Sequence, residues 1–122
     1  MDDCIFCQIV EKKSPAHIVY EDNECLAFLD KFPRTRGHLQ LIPKTHYRWV
    51  WEIPNMGTFF TIAQTIIRAI IPVLGADCVI LTTRGDEVYH AHLWIVPQYI
   101  KAVEIRQEAQ SVANLLRRAL LI

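Results

Sequence analysis

The 122 residues fit one domain, long enough to bury a core that needs no covalent staples. With 52% hydrophobic and 21% charged residues and few Gly or Pro, the composition is globular and excludes a disordered or fibrous class. Thirteen acids balance thirteen bases, so there is no electrostatic case for a polymeric nucleic acid or an anionic membrane surface, although a small anion needs only local donors.

Asp2 or Asp3 is expected to cap a short helix from about Cys4 to Glu11 that ends before Ser14-Pro15. On it Cys4 and Cys7 are three residues apart and face the same way, so both thiolates can reach one tetrahedral ion. This C-x-x-C fits half of a zinc site better than a redox pair, which belongs at a helix start after the strand of a βαβ unit. Cys25 and Cys78, isolated in apolar stretches, read as small core residues. No basic flank with a long apolar run marks a leader, and the longest apolar run, Ala69 to Leu74, is far short of a membrane span. The chain therefore reads as cytosolic, where structural disulfides are not expected.

Ile18 to Glu21 and Cys25 to Asp30 form a predicted hairpin around Asp22-Asn23, and His17 ahead of it reads as a surface histidine without a role. Lys31 to Arg36 is a loop with three bases. Gly37 opens a third strand, Leu39 to Ile42, which stops at Pro43-Lys44, with His38 at its beginning and His46 just beyond its end. After the aromatic stretch Tyr47 to Trp51, Pro54-Asn55 begins one long helix to about Ile71, ended by Pro72 and Gly75. Phe59, Ile62, Ala63, Ile66, Ala69, Ile70 and Val73 follow helical spacing and would cover a sheet. A second stripe of Phe60, Ile67, Ile71 and Leu74 points to a subunit interface.

Asp77 to Thr82 is a strand and Thr83 to Glu87 a tight turn on Gly85, with Val88 to Pro97 as the antiparallel partner. Period-two alternation in that partner puts His90, His92 and Trp94 on one face, the two histidine α-carbons about 6.5–7 Å apart. From Val103 onward Ile105, Ala109, Val112, Ala113, Leu116, Ala119 and Leu120 mark an amphipathic helix whose polar face (Arg106, Glu108, Gln110, Arg117, Arg118) is solvated. Strands that meander with segregated helices make the class α+β, in a single domain over residues 1–122.

His38, His46, His90 and His92 lie where strand ends converge. Cys4, Cys7, His46 and one histidine of the H-x-H pair supply the four ligands of a structural zinc ion, with no position left for water. An imidazole left free, neutral and tautomerically fixed by a hydrogen bond can attack phosphorus. Its substrate would be an anion gripped by local donors, for which Thr82, Thr83, Arg84, Lys44, Lys31, Arg34 and Arg36 are the candidates.

Five ordered stretches carry a resemblance: Cys4-Ile5-Phe6-Cys7-Gln8-Ile9-Val10, Val19-Tyr20-Glu21-Asp22, Leu26-Ala27-Phe28-Leu29-Asp30, Gly37 to His46, and His90 to Pro97. Together they are similar to the histidine-triad (HIT) superfamily of nucleotide hydrolases and transferases, in its small zinc-bearing branch related to the nucleoside-phosphoramidase (Hint-like) proteins. The resemblance implies a five-stranded antiparallel sheet with a long helix and a homodimer in which two sheets join. It also implies structural zinc at Cys4, Cys7, His46 and His90, and His92 as the nucleophile that accepts the phosphoryl group of a nucleotide. A purine nucleotide would place its ribose at Asp30 and its base against Phe28, with His38 in the active-site hydrogen-bond network and Thr83, Arg84 and Trp94 among the nucleotide contacts. The sequence departs from the pattern at three places. The third triad histidine falls on Trp94, whose indole donates one hydrogen bond but cannot shuttle a proton. Gly85-Asp86 stands where a Gly-Gln pair is usual, and Lys31 where an apolar pocket residue is common.

Two functions follow as expectations. The first is hydrolysis of a nucleoside monophosphate derivative, a phosphoramidate or an adenylylated conjugate, through a nucleotidyl-histidine on His92. The second, motivated by Trp94 and Asp86, is a zinc-containing nucleotide-binding or interaction module that keeps the fold and has lost turnover.

Overall fold

The computed structural model describes residues 3–101, 103 and 108–120. Helix α1 (Ile5–Val10) is followed by β1 (Ile18–Glu21), β2 (Cys25–Leu29), β3 (Leu39–Pro43), a 3-10 turn at Val50–Glu52, α2 (Met56–Leu74), β4 (Cys78–Thr82), β5 (Leu93–Gln98) and α3 (Ala109–Ala119). The five strands form one antiparallel sheet in the order β1-β2-β3-β5-β4, so the α+β class holds. The meander is interrupted once, where α2 carries the chain past β3 and β5 then fills the gap beside it.

Local chemistry sets the element ends. The β1–β2 turn closes because Asp22 Oδ1 accepts hydrogen bonds from the backbone N–H of Glu24 and Cys25, both at 2.7 Å, a side chain standing in for a backbone turn. Asn55 caps α2 by accepting from Thr58 N–H at 3.1 Å, and Gly75 closes it in the left-handed region at φ 70°. Pro72, expected to end this helix, lies inside it. Proline removes one donor, and two residues before the last helical residue on an exposed face that loss is tolerated. Cys4, not Asp3, caps α1, its sulfur accepting from Cys7 N–H at 3.4 Å; Asp2 lies outside the described residues. The expected start of the last helix at Val103 is likewise corrected to Ala109, with residues 102 and 104–107 outside the described set.

Every residue of β2 and β3 is buried, because both faces of the sheet centre are covered. Strand parity sorts the two sides. Cys25, Ala27, Leu29, Leu39, Leu41, Leu93 and Ile95 pack with Phe59, Ala63, Ile66 and Ile70 of α2 and with Val112, Ala113 and Leu116 of α3. Leu26, Phe28 and Ile42 point the other way, onto Phe6 and Ile9 of α1. Six residues cannot cover a whole sheet face, so beyond α1 that side stays open as a cavity. By length and composition α2 could also cross a membrane, contrary to the reading from the run Ala69 to Leu74, but here one face of it covers the sheet.

The expectation that Cys78 is a core residue fails: it is exposed on β4, which sits at the sheet edge, whereas Cys25 is buried. The second stripe of α2 divides. Leu74 turns inward beneath Gly37, while Phe60 remains 40% exposed. Gly37 does not open β3 as a strand residue. It adopts φ 84°, and a Cβ there would meet Leu74 Cδ1 at 2.7 Å.

Candidate functional site: a cysteine–histidine cluster beside a histidine-floored cavity

His90 and His92 stand immediately before β5 and not on a strand shared with Trp94, which corrects the period-two reading. Their backbone is committed elsewhere. Ala91 N–H donates to Tyr47 C=O at 2.6 Å, and His92 C=O accepts from Thr83 Oγ1 at 2.7 Å. The two imidazoles still serve different neighbours. His90 Nε2 lies 2.8 Å from Pro43 C=O, and a carbonyl only accepts, so the proton is on Nε2 and the Nδ1 lone pair is free. That Nδ1 is 3.5 Å from both Cys4 Sγ and Cys7 Sγ, and Cys7 Sγ is 3.2 Å from His46 Nδ1.

Cys4, Cys7, His46 and His90 each turn one ligand atom toward a common point, all four within 4.8 Å of one another. A tetrahedral ion with bonds of 2.0–2.3 Å has edges of about 3.3–3.8 Å, so the three contacts above fit such an ion. Burial holds His90 down at about 4, hence neutral, and burial with the neighbouring Cys4 holds the Cys7 thiol up at about 11. A divalent cation removes the second penalty by taking the thiolate as a ligand. The fourth member of the cluster, which spacing alone left open between the two histidines, is His90.

His92 faces the other way. Its Nδ1 donates to His90 C=O at 2.7 Å, which leaves the Nε2 lone pair unused. Burial lowers its pKa, so the ring is neutral, and Phe6 packs edge-on against it at 5.5 Å. It lines a cavity of about 910 Å³ together with Phe28, Asp30, His38, Arg84 and Trp94, six of the residues singled out from the sequence. Asp30 is held by two donors, Phe32 N–H on Oδ1 and Gln40 Nε2 on Oδ2, both at 2.9 Å. His38 accepts from Arg34 N–H through Nδ1 at 3.1 Å, so its proton sits on Nε2, a buried atom 3.5 Å from Asp30 Oδ2. Burial again lowers its pKa. Trp94 packs edge-on to His38 at 5.0 Å, with the guanidinium carbons of Arg34 and Arg84 at 4.8 and 5.4 Å from its ring. Asp86 is answered by Arg84, which grips it with two hydrogen bonds of 2.9 and 3.1 Å and holds its carboxyl below the ordinary carboxylate range.

Not every candidate anion donor reaches the cavity. Lys31, Arg34 and Arg84 line it, whereas Thr82, Thr83, Lys44 and Arg36 do not. Lys44 pairs with Glu21 at 2.8 Å, and Thr83 spends its hydroxyl proton on the His92 backbone. His17 lines the cavity despite its surface reading, and Arg117 of the supposedly solvated polar face ties α3 to β1 through Ile18 C=O at 2.6 Å. Sequence reasoning also missed a clamp. Arg48 stacks on Trp49 at 4.1 Å and on Tyr89 at 3.7 Å and donates to Gly85 C=O, and the Trp49 ring lies directly against Gly85. Its only signal was the aromatic run Tyr47 to Trp51.

The HIT domain family model matches residues 11–101. The chain belongs to the HIT family. An uncharacterized HIT-like protein of Saccharolobus solfataricus is 37% identical over 86% of this chain and 81% of its own length. A protein of Arabidopsis thaliana named as an adenylylsulfatase is 34% identical over 80% of this chain, which spans 53% of that larger protein. Among solved structures, a zinc-bound histidine triad family protein from Mycobacterium smegmatis superposes with a TM-score of 0.87 at 32% identity, covering 98% of this chain and 94% of the other. The stretch His90-Ala91-His92-Leu93-Trp94 lies inside the matched residues.

Proposed function

We propose that this HIT protein hydrolyses a nucleoside monophosphate derivative, a phosphoramidate or an adenylylated conjugate, through a nucleotidyl-histidine on His92. The observation that carries the reading is the His92 ring, neutral and fixed by His90 C=O with Nε2 unprotonated at the cavity wall. A purine base would lie against Phe28 and the ribose hydroxyls would donate to Asp30, whose two oxygens are pre-oriented by Phe32 and Gln40. His92 Nε2 forms the N–P bond as the bond to the leaving group breaks, its electron pair departing with that group, which takes up a proton from solvent where it leaves as an amine. Water then attacks phosphorus, the P–N pair returns to Nε2 and the proton passes to solvent. The Arg84 charge near His92 offsets the developing negative charge. The name of the Arabidopsis relative supports an adenylylated conjugate.

Zinc is the ion we assign to Cys4, Cys7, His46 and His90, where it would tie α1 to the end of β3 and the start of β5. With four protein ligands it would supply stability and no chemistry. We also assign a homodimer, supported by the exposed apolar side chains of the edge strand β4 (Ile80, Leu81) and of α2 (Phe60, Val73), and a cytoplasmic location, supported by four cysteines none of which is disulfide-bonded.

Trp94 favours a second reading, a binding module without turnover, because an indole cannot protonate a leaving group. Rapid-quench labelling with a substrate tagged at the α-phosphorus separates them. The expected result is phosphorus on wild-type protein and none on His92→Ala. Equal labelling of both removes His92 as nucleophile, and binding without label or monophosphate release supports the module.

A further inference from the structure

The cavity is positive in a chain of zero net charge. Lys31, Arg34, Arg84 and Arg117 line it against two carboxylates, Asp30 and Glu87. A phosphoryl group bonded to a nucleoside on one side and a leaving group on the other carries a single negative charge. The cations differ in how far they are committed. Arg84 is held by Asp86 and Glu87 at 2.9 and 3.2 Å, and Arg117 by Ile18 C=O and Asn114.

Arg34 is different. Its guanidinium lies on the Trp94 ring at 4.8 Å, and no described carboxylate pairs with it. Its backbone is fixed by the hydrogen bond from its N–H to His38 Nδ1. A cation over an aromatic face keeps N–H donors available to a second partner, and this exposed arginine lines the cavity. A guanidinium placed over an aromatic ring on a tethered backbone, lining a cavity and paired with no described carboxylate, is available to an oxyanion, which its fork of donors can bind at two points.

We propose that Arg34, lying over the Trp94 ring, forms a second anion subsite, which makes the preferred ligand of this cavity a nucleotide whose group beyond the α-phosphoryl is itself an oxyanion. The tryptophan at the third triad position then has a role of its own as the platform that holds Arg34 beside the leaving group. The proposal rests on the nucleotide-binding reading above.

Titration calorimetry on the intact zinc-loaded protein tests it with two non-reacting ligands, the methyl ester of adenosine monophosphate and the α,β-methylene analogue of adenosine diphosphate. The wild type should bind the diphosphate analogue about tenfold tighter or more, the worth of one charge-assisted pair. Arg34→Gln should reduce that preference to about twofold, leaving the methyl ester affinity and the melting temperature unchanged. Arg34→Lys, with the charge but not the fork, should recover only part of it. Equal wild-type affinities, or a preference that survives Arg34→Gln, would overturn the subsite while leaving nucleotide binding intact. If neither ligand binds, the nucleotide reading falls and the subsite with it.

Discussion

Gly85 tests whether the segment between β4 and the triad is held as the structure describes. A Cβ added there would lie 2.1 Å from Trp49 Cζ3 and 2.5 Å from Cε3. Ordinary carbon contact is about 3.5–4.0 Å, so Gly85→Ala demands a displacement of about 1.4 Å or more. The indole cannot give way by a rotamer twist of a flexible tip. It is a rigid ring, stacked on Trp51 at 4.9 Å and 9° and covered by Arg48, which also donates to Gly85 C=O. Overpacking of this kind costs about 1–3 kcal/mol, or about 4–12 °C of melting temperature in a chain of this size. The displaced segment carries Arg84 and leads into His90 and His92, so nucleotide affinity should fall along with stability. Urea unfolding followed by tryptophan fluorescence measures the first effect. Removing the ring in Trp49→Ala/Gly85→Ala should recover at least about 1 kcal/mol relative to the sum of the single variants. A Gly85→Ala loss below about 0.5 kcal/mol, or strict additivity in the pair, would show that Trp49 does not press on this glycine.

Three further outcomes follow from the same structure. Cys4→Ser or His46→Ala should lower both zinc content and thermal stability, because a structural metal binds the folded chain; one zinc per chain retained in both variants would refute the ligand set. His38 is buried and its pKa is lowered from 6.5, so the unfolded chain takes up a proton at that site before the folded one does. The stability this group contributes is therefore present above 6.5 and lost as pH falls through its folded value, and His38→Gln should flatten a urea-midpoint profile over that window; parallel profiles would refute it. Leu81→Lys places a charge on the exposed edge strand and should yield monomers in sedimentation velocity where the wild type sediments as a dimer, and a monomeric wild type would remove the interface.

The sequence by itself determined the fold class, the strands β1 to β3, the long helix and three members of the cysteine–histidine cluster, Cys4, Cys7 and His46. Each of these depends on a periodic apolar pattern or on residue types with few structural alternatives, such as two cysteines one helical turn apart. Strand parity also sufficed to bring Phe28 and Trp94 to one side of the sheet, whereas Asp30, His38 and His92 sit just beyond strand ends and owe their place at the cavity to the loops.

Tertiary structure alone decided which histidine does what. The proton on His90 is set by Pro43 C=O and the proton on His92 by His90 C=O, and these bonds depend on backbone positions that no local pattern encodes. It likewise decided that Thr83 serves the backbone, that His17 reaches the cavity, and that Arg48 clamps Gly85 from a loop 37 residues away. Trp94 shows the division most directly: the sequence named it a missing histidine, and only packing against Arg34, Arg84 and His38 showed what an indole can hold there.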